Sequence, residues 1–344
     1  MQIKSIISTS VILFTLPFFT TQLNENYLYD NQEYAENTPI SIDKDITLSF
    51  VGDCMVSTYK GKETNGSFNW YAKNYDSDYF FRNVSEIFKN DDLTIANCET
   101  VLSDQNLSIR DKGHAVQYWY KGPSSNAKIF TSAYIDVVST ANNHFRDYGT
   151  EGQKDTLNAL HNENLNVLMN YEPNYFEIKG TTIGILGCGI WSPGCEKEII
   201  EIINEMELNS DIQIIYPHGG EERLHSPERW RQDLFHELID AGADMVIAHH
   251  AHVLQPMEIY HNKPIVYGLG NFCYGGSAHP ENRTVIYQCK ISLDENDQFC
   301  YENTIIPCYV YTGNSNNWQP DIITDKDEMQ KVIDFMNNER NLPY

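Results

Sequence analysis

The stretch Asp136-Val-Val-Ser-Thr-Ala-Asn-Asn-His144, resumed at Asp147-Tyr-Gly149, decides how this chain is read. Residues 135–140 are β-type, apolar and β-branched. Two amides and an imidazole follow at once. Open α/β sheets place their ligands where strands end, so a buried strand that stops in polar, ligand-capable groups marks a site.

Four further clusters repeat the arrangement on either side. Upstream, the run 46–51 ends in Gly52-Asp53, and the run 93–97 ends in Asn97-Cys98-Glu99. Downstream, the run 212–216 leads into Pro217-His-Gly-Gly-Glu-Glu222, and 245–248 leads into His249-His-Ala-His252. Runs 182–186 and 264–269 are also β-type. Taken singly, each cluster has an ordinary meaning: Asp53 a turn or cap, Glu99 a solvated carboxylate, Asn142 and Asn143 a turn pair, His218 a loop histidine. Taken together, carboxylate, carboxylate, amide plus His, His and His-x-His form a donor set for two adjacent divalent cations. An imidazole left outside that set could move a proton or stabilise developing charge.

Between the strands lie helical stretches at 150–163 (Leu157, Leu160) and 226–241 (Trp230, Leu234, Leu238, Ile239). For the second, Ser226 is the expected N-cap, Pro227 the first helical residue and Gly242 the stop. This alternation predicts an α/β domain with largely buried strands. Runs 284–293 and 303–311 follow one another without a helix and predict an antiparallel pair, and 325–338 predicts a final acidic helix. With no internal repeat, residues 46–344 are expected to form one domain.

The order of clusters is similar to the motif series of calcineurin-like phosphoesterases, and the surrounding residues resemble the CapA, or poly-γ-glutamate capsule synthesis, branch more closely. Val51-Gly-Asp-Cys-Met55 matches its G-D-x-M opening and Asn97-Cys-Glu99 its N-x-E segment. The opening stretch matches D-V-V-S-x-A-N-N-H-x-x-D-x-G, and His218-Gly-Gly-Glu-Glu222 matches H-x-G-x-E. Residues 241–253 and Gly268-Leu-Gly-Asn-Phe272 match the last two blocks. The likeness covers residues 46–275.

The resemblance implies a four-layer α-β-β-α sandwich of the metallo-dependent phosphatase type, with a C-terminal antiparallel extension. It implies that Asp53 binds one metal, that Glu99 bridges, that Asn143, His218 and His250 complete the second site, and that His252 returns to the first. His144 would be the catalytic, non-ligand histidine. Asn97, Asn142, Glu222, His249 and Asn271 would contact substrate or support the ligands. The cofactors implied are divalent ions, Mn, Fe or Zn, one or two of them. Met55 stands where the phosphoesterases carry a histidine ligand, and Glu99 where they carry an Asp; a thioether is a poor ligand for such cations, which puts phosphatase activity in doubt.

The formal charge of −24 repels nucleic acid and anionic headgroups. The resemblance instead implies an anionic polymer, or its membrane synthase complex, as partner. Three functions stay open: a part in making, exporting or attaching an extracellular anionic polymer; a metal-dependent hydrolase of phosphoester or amide bonds at the cell surface; and a non-catalytic binding or scaffold protein on the same fold. A lysine at position 4 followed by the apolar run 6–19 predicts a signal peptide or membrane anchor over 1–23, a polar linker over 24–45, and hence a secreted protein or one on the outer face of the membrane. An anchored N-terminus would attach the domain to that membrane.

None of the eight cysteines forms a C-x-x-C pair. In an exported chain Cys188/Cys195 and Cys300/Cys308 are candidates for disulfides, with buried thiols the alternative. Tyr118, Trp119 and Tyr120 either line a cleft or pack against a sheet. Asn65, Asn83, Asn106 and Asn282 begin N-x-S/T sequons.

Overall fold

In the computed structural model, residues 45–113, 116–274 and 281–344 are described. The expected signal peptide or anchor, and all but the last residue of the expected linker, lie outside them. Among the described residues, no helix is long and apolar enough to cross a membrane.

Two sheets carry the domain. The first runs Asp321–Ile322, Phe299–Tyr309, Arg283–Leu293, Ile46–Cys54, Leu93–Cys98, Val137–Ser139, Asn166–Leu168, with Asn271–Cys273 pairing alongside the end of Ile46–Cys54. Its strands from Ile46–Cys54 to Asn166–Leu168 are parallel, whereas Arg283–Leu293 and Phe299–Tyr309 are the expected antiparallel pair. The second runs Leu254–Tyr260, Lys263–Leu269, Met245–Ile247, Ile212–Gly219, Thr181–Ile190, Pro173–Ile178, parallel in its centre and antiparallel at both edges.

Alternation along the strands explains the layering. Ile46, Leu48 and Phe50 of the first sheet meet Ile183, Ile212, Ile214 and Val266 of the second in a shared core. The opposite residues of the first sheet, Val51, Ala96 and Val138, pack on Phe68, Phe80, Phe130 and Leu160. Leu186, Ile215 and Val246 of the second sheet pack on Ile199 and Ile203 of the Glu196–Met206 helix and Leu234 and Leu238 of Arg229–Asp240. A sheet buried on both faces reads as a continuous apolar run, as these strands do. The result is helix, sheet, sheet, helix, as the resemblance implied.

Several boundaries differ from expectation. The Arg229–Asp240 helix begins after Glu228 and not at Ser226. Glu228 holds extended backbone, and its carboxylate is engaged by the Glu221 N–H (2.6 Å) and Arg231 (3.3 Å), which delays the first turn. Gly242, at φ +118, ends the helix as expected. Thr181–Ile190 runs past the expected end because eight consecutive residues stay in register with Ile212–Gly219. All eight cysteines are free thiols. Cys300 and Cys308 sit near opposite ends of one strand, about 27 Å apart at strand rise, far beyond a disulfide's Cα limit of about 7 Å. Of the sequon asparagines, Asn65, Asn83 and Asn106 are exposed, but Asn282 is fully buried and donates to the Tyr311 carbonyl.

Candidate metal centre

Parallel strand ends bring the donors together. Asp53 is in register with Asn97 on one side and Asn271 on the other. Gly52 makes this possible: a Cβ there would lie 2.0 Å from the Gly270 carbonyl oxygen, to which Asp53 N–H donates from one residue further on (2.9 Å). Glu99 follows the Leu93–Cys98 strand and is pinned by its N–H to the Cys54 carbonyl (3.1 Å). Past Val137–Ser139, the Asn142 side chain shapes the turn. Its Oδ1 accepts from the N–H groups of His144 and Phe145 (3.1 and 3.0 Å), and its Nδ2 donates to Asn97 Oδ1 and the Cys98 carbonyl (3.0 Å each). His218 closes the Ile212–Gly219 strand and bridges to His249. His250 and His252 adopt φ +94 and +58. Left-handed backbone at a non-glycine residue costs roughly 1–3 kcal/mol and persists where the surroundings impose it, commonly at functional sites.

The side chains converge. His218 Nε2 lies 3.4 Å from Glu99 Oε1, 3.0 Å from Asn143 Oδ1 and 3.1 Å from His250 Nδ1. His252 Nδ1 lies 3.0 Å from Asp53 Oδ2 and from Asn271 Oδ1, with its Nε2 3.9 Å from Glu99 Oε1. Asn97 Nδ2 donates to Asp53 Oδ1 (2.8 Å) and lies 3.1 Å from His218 Nδ1. Glu99/His218/His250, Asp53/Glu99/His252 and Glu222/His250/His252 each present donor atoms within 4.8 Å of one another.

Glu99 is the centre of the test for a cation. It is fully buried, yet neither carboxylate oxygen has a hydrogen-bond partner. Buried polar atoms are normally satisfied, and orphaned ones call for an ion or water. Burial, then the neighbouring Asp53, pushes the Glu99 carboxyl well above its ordinary range. Burial also works to raise Asp53, but His249 and His252 outweigh it and hold the carboxyl well below its usual value. Burial and His250 keep His218 neutral, and burial with His252 brings His250 down to about 3. Burial opposes the charging of His252, but Glu99 and Asp53 overcome it and raise the imidazole to about 10. Carboxylates crowded together beside the neutral imidazoles of His218 and His250 suit divalent cations, which would take the place of the proton on His252. The donor set fits one or two.

His144 stands beside this set. Its Nδ1 faces Asp147 Oδ2 at 2.8 Å, which leaves Nε2 toward the centre, 3.9 Å from Glu99 Oε1. The other Asp147 oxygen pairs with Lys112. Burial lowers the His144 pKa against the pull of Asp147, favouring the neutral ring. The Tyr120 ring meets His144 edge-on with centroids 4.7 Å apart, and Tyr120 and Tyr274 join through their hydroxyls.

All six expected ligands and His144 therefore meet. Asn97, Asn142 and Asn271 hold them through amide contacts. His249 is buried with Nδ1 3.4 Å from Asp53 Oδ1 and its ring 4.3 Å from Tyr216. Glu222 is exposed but within ligand reach of His250 and His252. Tyr118 and Tyr120 line a cleft with His144, while Trp119 donates to the Arg110 carbonyl (2.7 Å). Three neighbours were given no role from sequence, although Asp147 stands in the quoted motif. Asp147, three residues after His144, could have been found from that spacing. Lys112 and Trp191, whose ring meets His218 and His250 edge-on, lie in loops with no local signal.

The family model described as bacterial capsule synthesis protein PGA_cap matches residues 47–275. The chain is 32% identical over 252 residues to the PGA biosynthesis protein CapA of Bacillus subtilis (67% of this chain, 63% of that protein). It is 29% identical over 258 residues to the capsule biosynthesis protein CapA of Bacillus anthracis (67% of this chain, 60% of that protein). The match thus spans under two thirds of each of these curated relatives. Among solved structures, a hypothetical protein from Thermus thermophilus aligns at TM-score 0.46 and 13% identity, covering 76% of this chain and 99% of that one. With two thirds of its length matched by the family model, the chain belongs to the bacterial capsule synthesis protein PGA_cap family.

Proposed function

We propose that this chain takes part in synthesis, export or attachment of an extracellular acidic polymer of the poly-γ-glutamate type, acting at the outer face of the membrane from a centre that holds divalent cations. The observation that carries the reading is Glu99: a buried carboxylate with two unpartnered oxygens among three histidines and a second carboxylate. Family membership supplies the polymer.

In this reading Glu99 would be shared, with Asp53 and His252 holding a cation on one side and Asn143, His218 and His250 on the other. Cations held there would supply Lewis-acid polarisation of a carbonyl or phosphoryl oxygen and a more acidic water. Asn97 and Asn271 fix the ring and carboxylate orientations, as partners of metal ligands do. Asp147 holds the proton of His144 on Nδ1, so Nε2 is the atom that takes up a proton and returns it to a leaving group. The reaction class is cleavage or transfer at an amide link of the polymer.

Met55 favours a second reading. It is 1% exposed and lines the cleft where phosphoesterases place a ligand, so the Asp53 side is one donor short and a cation there is held more weakly. On that reading the protein binds polymer without cutting it. Metal analysis after reconstitution with Mn, Fe or Zn, combined with gel sizing of γ-linked polyglutamate incubated with the full chain, separates them. Metal-dependent change in polymer length supports the first reading. Bound metal with unchanged length supports the second, and a chain that takes up no metal refutes both.

A further inference from the structure

The charge of −24 opposes an acidic polymer, so a surface that accepts one needs local cations. Their placement is specific. Of the eight arginines in the sequence, five are engaged through their guanidinium groups: Arg82, Arg229, Arg231 and Arg283 in ion pairs, and Arg340 with backbone carbonyls. The guanidinium groups of Arg110, Arg146 and Arg223 make neither ion pair nor hydrogen bond among the described residues. All three line the two cavities that open on the metal centre.

The first cavity, about 420 Å³, reaches Asn143 and carries Arg110, Arg146, Gln153, Asn170 and Trp191. The Arg110 N–H donates to the Asp147 carbonyl (2.8 Å), which sets Arg110 beside Arg146. The second, about 480 Å³, reaches His144 and His252 and carries Arg223 and Tyr118. The centre lies between a doubly basic arm and one in which Arg223 stands beside Glu222, itself within ligand reach of His250 and His252.

We infer that these arms are subsites for a linear polycarboxylate that lies across the centre, its side-chain carboxylates on Arg110 and Arg146 in one arm and on Arg223 in the other. The inference rests on the acidic-polymer reading above and adds where and how the chain is held. The lining selects a polyamide over a polyphosphate. Gln153 offers both a donor and an acceptor, and Asn170, whose Oδ1 accepts from the Gly189 N–H (2.7 Å), offers its Nδ2 donor, which match backbone amides, whereas a polyphosphate offers acceptors alone. Trp191 and Tyr118, 53% and 51% exposed, present apolar faces for methylene groups between the amides. An occupant with contacts on both sides is engaged in its interior and not only at an end.

The test measures fluorescence anisotropy of a labelled γ-linked glutamate oligomer, long enough to span both arms, on the full chain with metal. The oligomer is expected to bind in a salt-sensitive way. Exposed guanidinium–carboxylate pairs each contribute about two- to fivefold in affinity. Arg110→Gln with Arg146→Gln should therefore weaken binding about tenfold, and Arg223→Gln about threefold, with metal content and thermal midpoint unchanged. Arg229→Gln, outside both cavities, should change nothing. Polyphosphate and γ-linked polyglutamine should bind at least about tenfold more weakly. Wild-type binding that all three arginine changes leave intact overturns the subsites while the acidic-polymer reading stands. Absence of oligomer binding by the metal-loaded wild type overturns both. Equal or tighter binding of polyphosphate overturns the polycarboxylate assignment.

Discussion

Replacing Glu99 by Gln should stabilise the metal-free protein and abolish its response to metal, a sign reversal that few other roles would produce. Without a cation, Glu99 is a carboxylate buried to 0% exposure, with both oxygens unpartnered and Asp53 nearby. An orphaned buried polar group costs roughly 1–3 kcal/mol, and a charged one more. Gln has nearly the same shape, cannot ionise beside Asp53 and leaves Asp53 to partner His252 at 3.0 Å. In chelator the variant should therefore gain about 1–3 kcal/mol, or about 2–6 °C in midpoint for a domain of this size. With metal at a hundred times its dissociation constant, a single site adds about 2.7 kcal/mol to the wild type, about 5 °C or more. The variant has lost the bridging charge and should gain almost nothing, so the order of the two midpoints inverts. Thermal melts of both proteins, in chelator and across a manganese or zinc titration, provide the measurement. A variant that melts below wild type in chelator, or one that keeps the metal-induced rise, would refute the assignment of Glu99 as a bridging ligand.

Three other outcomes follow from particular contacts. His144→Ala should lower any metal-dependent turnover of the polymer by about 10²–10⁴-fold while leaving metal content intact, and Asp147→Asn should do so less severely, measured by rate against metal stoichiometry. Asp91 is a partly buried carboxyl raised to about 6, by burial and then by the neighbouring Asp136 and Asp92 against hydrogen bonds from Ser49 and Thr94. Because the folded value lies above the unfolded one, its contribution is fully present below about pH 4 and is lost as pH rises through 6. Asp91→Asn should therefore gain about 1 kcal/mol at pH 7.5, after allowance for its partial exposure, and nothing near pH 4, read from urea melts at both pH values. Gly52→Ala, whose new Cβ would meet backbone at 2.0 Å, should cost about 3 kcal/mol or more and displace Asp53, seen together as a lower midpoint and lost metal.

Much of the fold was legible because each buried strand is a short apolar run that stops at a polar cluster. Residues 46–54 and 93–98 needed only local chemistry to be found, as did the final helix behind Asp325, whose side chain accepts from the N–H groups of Asp327 and Glu328. The start of Arg229–Asp240 was not, because Ser226 and Pro227 are good local signals overruled by the engagement of Glu228 with Glu221 and Arg231. The short strands Thr58–Tyr59, Val101–Leu102 and Tyr120–Gly122, which place Tyr120 against His144, pair across long loops and carry no period of their own.

The residue types of the centre, their order, and their attachment to strand ends are properties of the sequence, since strand period and hydrophobic runs are local. The tertiary structure decided which atoms face one another. It left Glu99 without a partner, aimed the Nε2 of His144 inward by tying Nδ1 to Asp147, and gathered Arg110, Arg146 and Arg223 of a strongly acidic chain around one centre. Apart from the His144–Asp147 pair, those relations join residues tens of positions apart. They depend on register between strands and on burial, which no local stretch of sequence encodes.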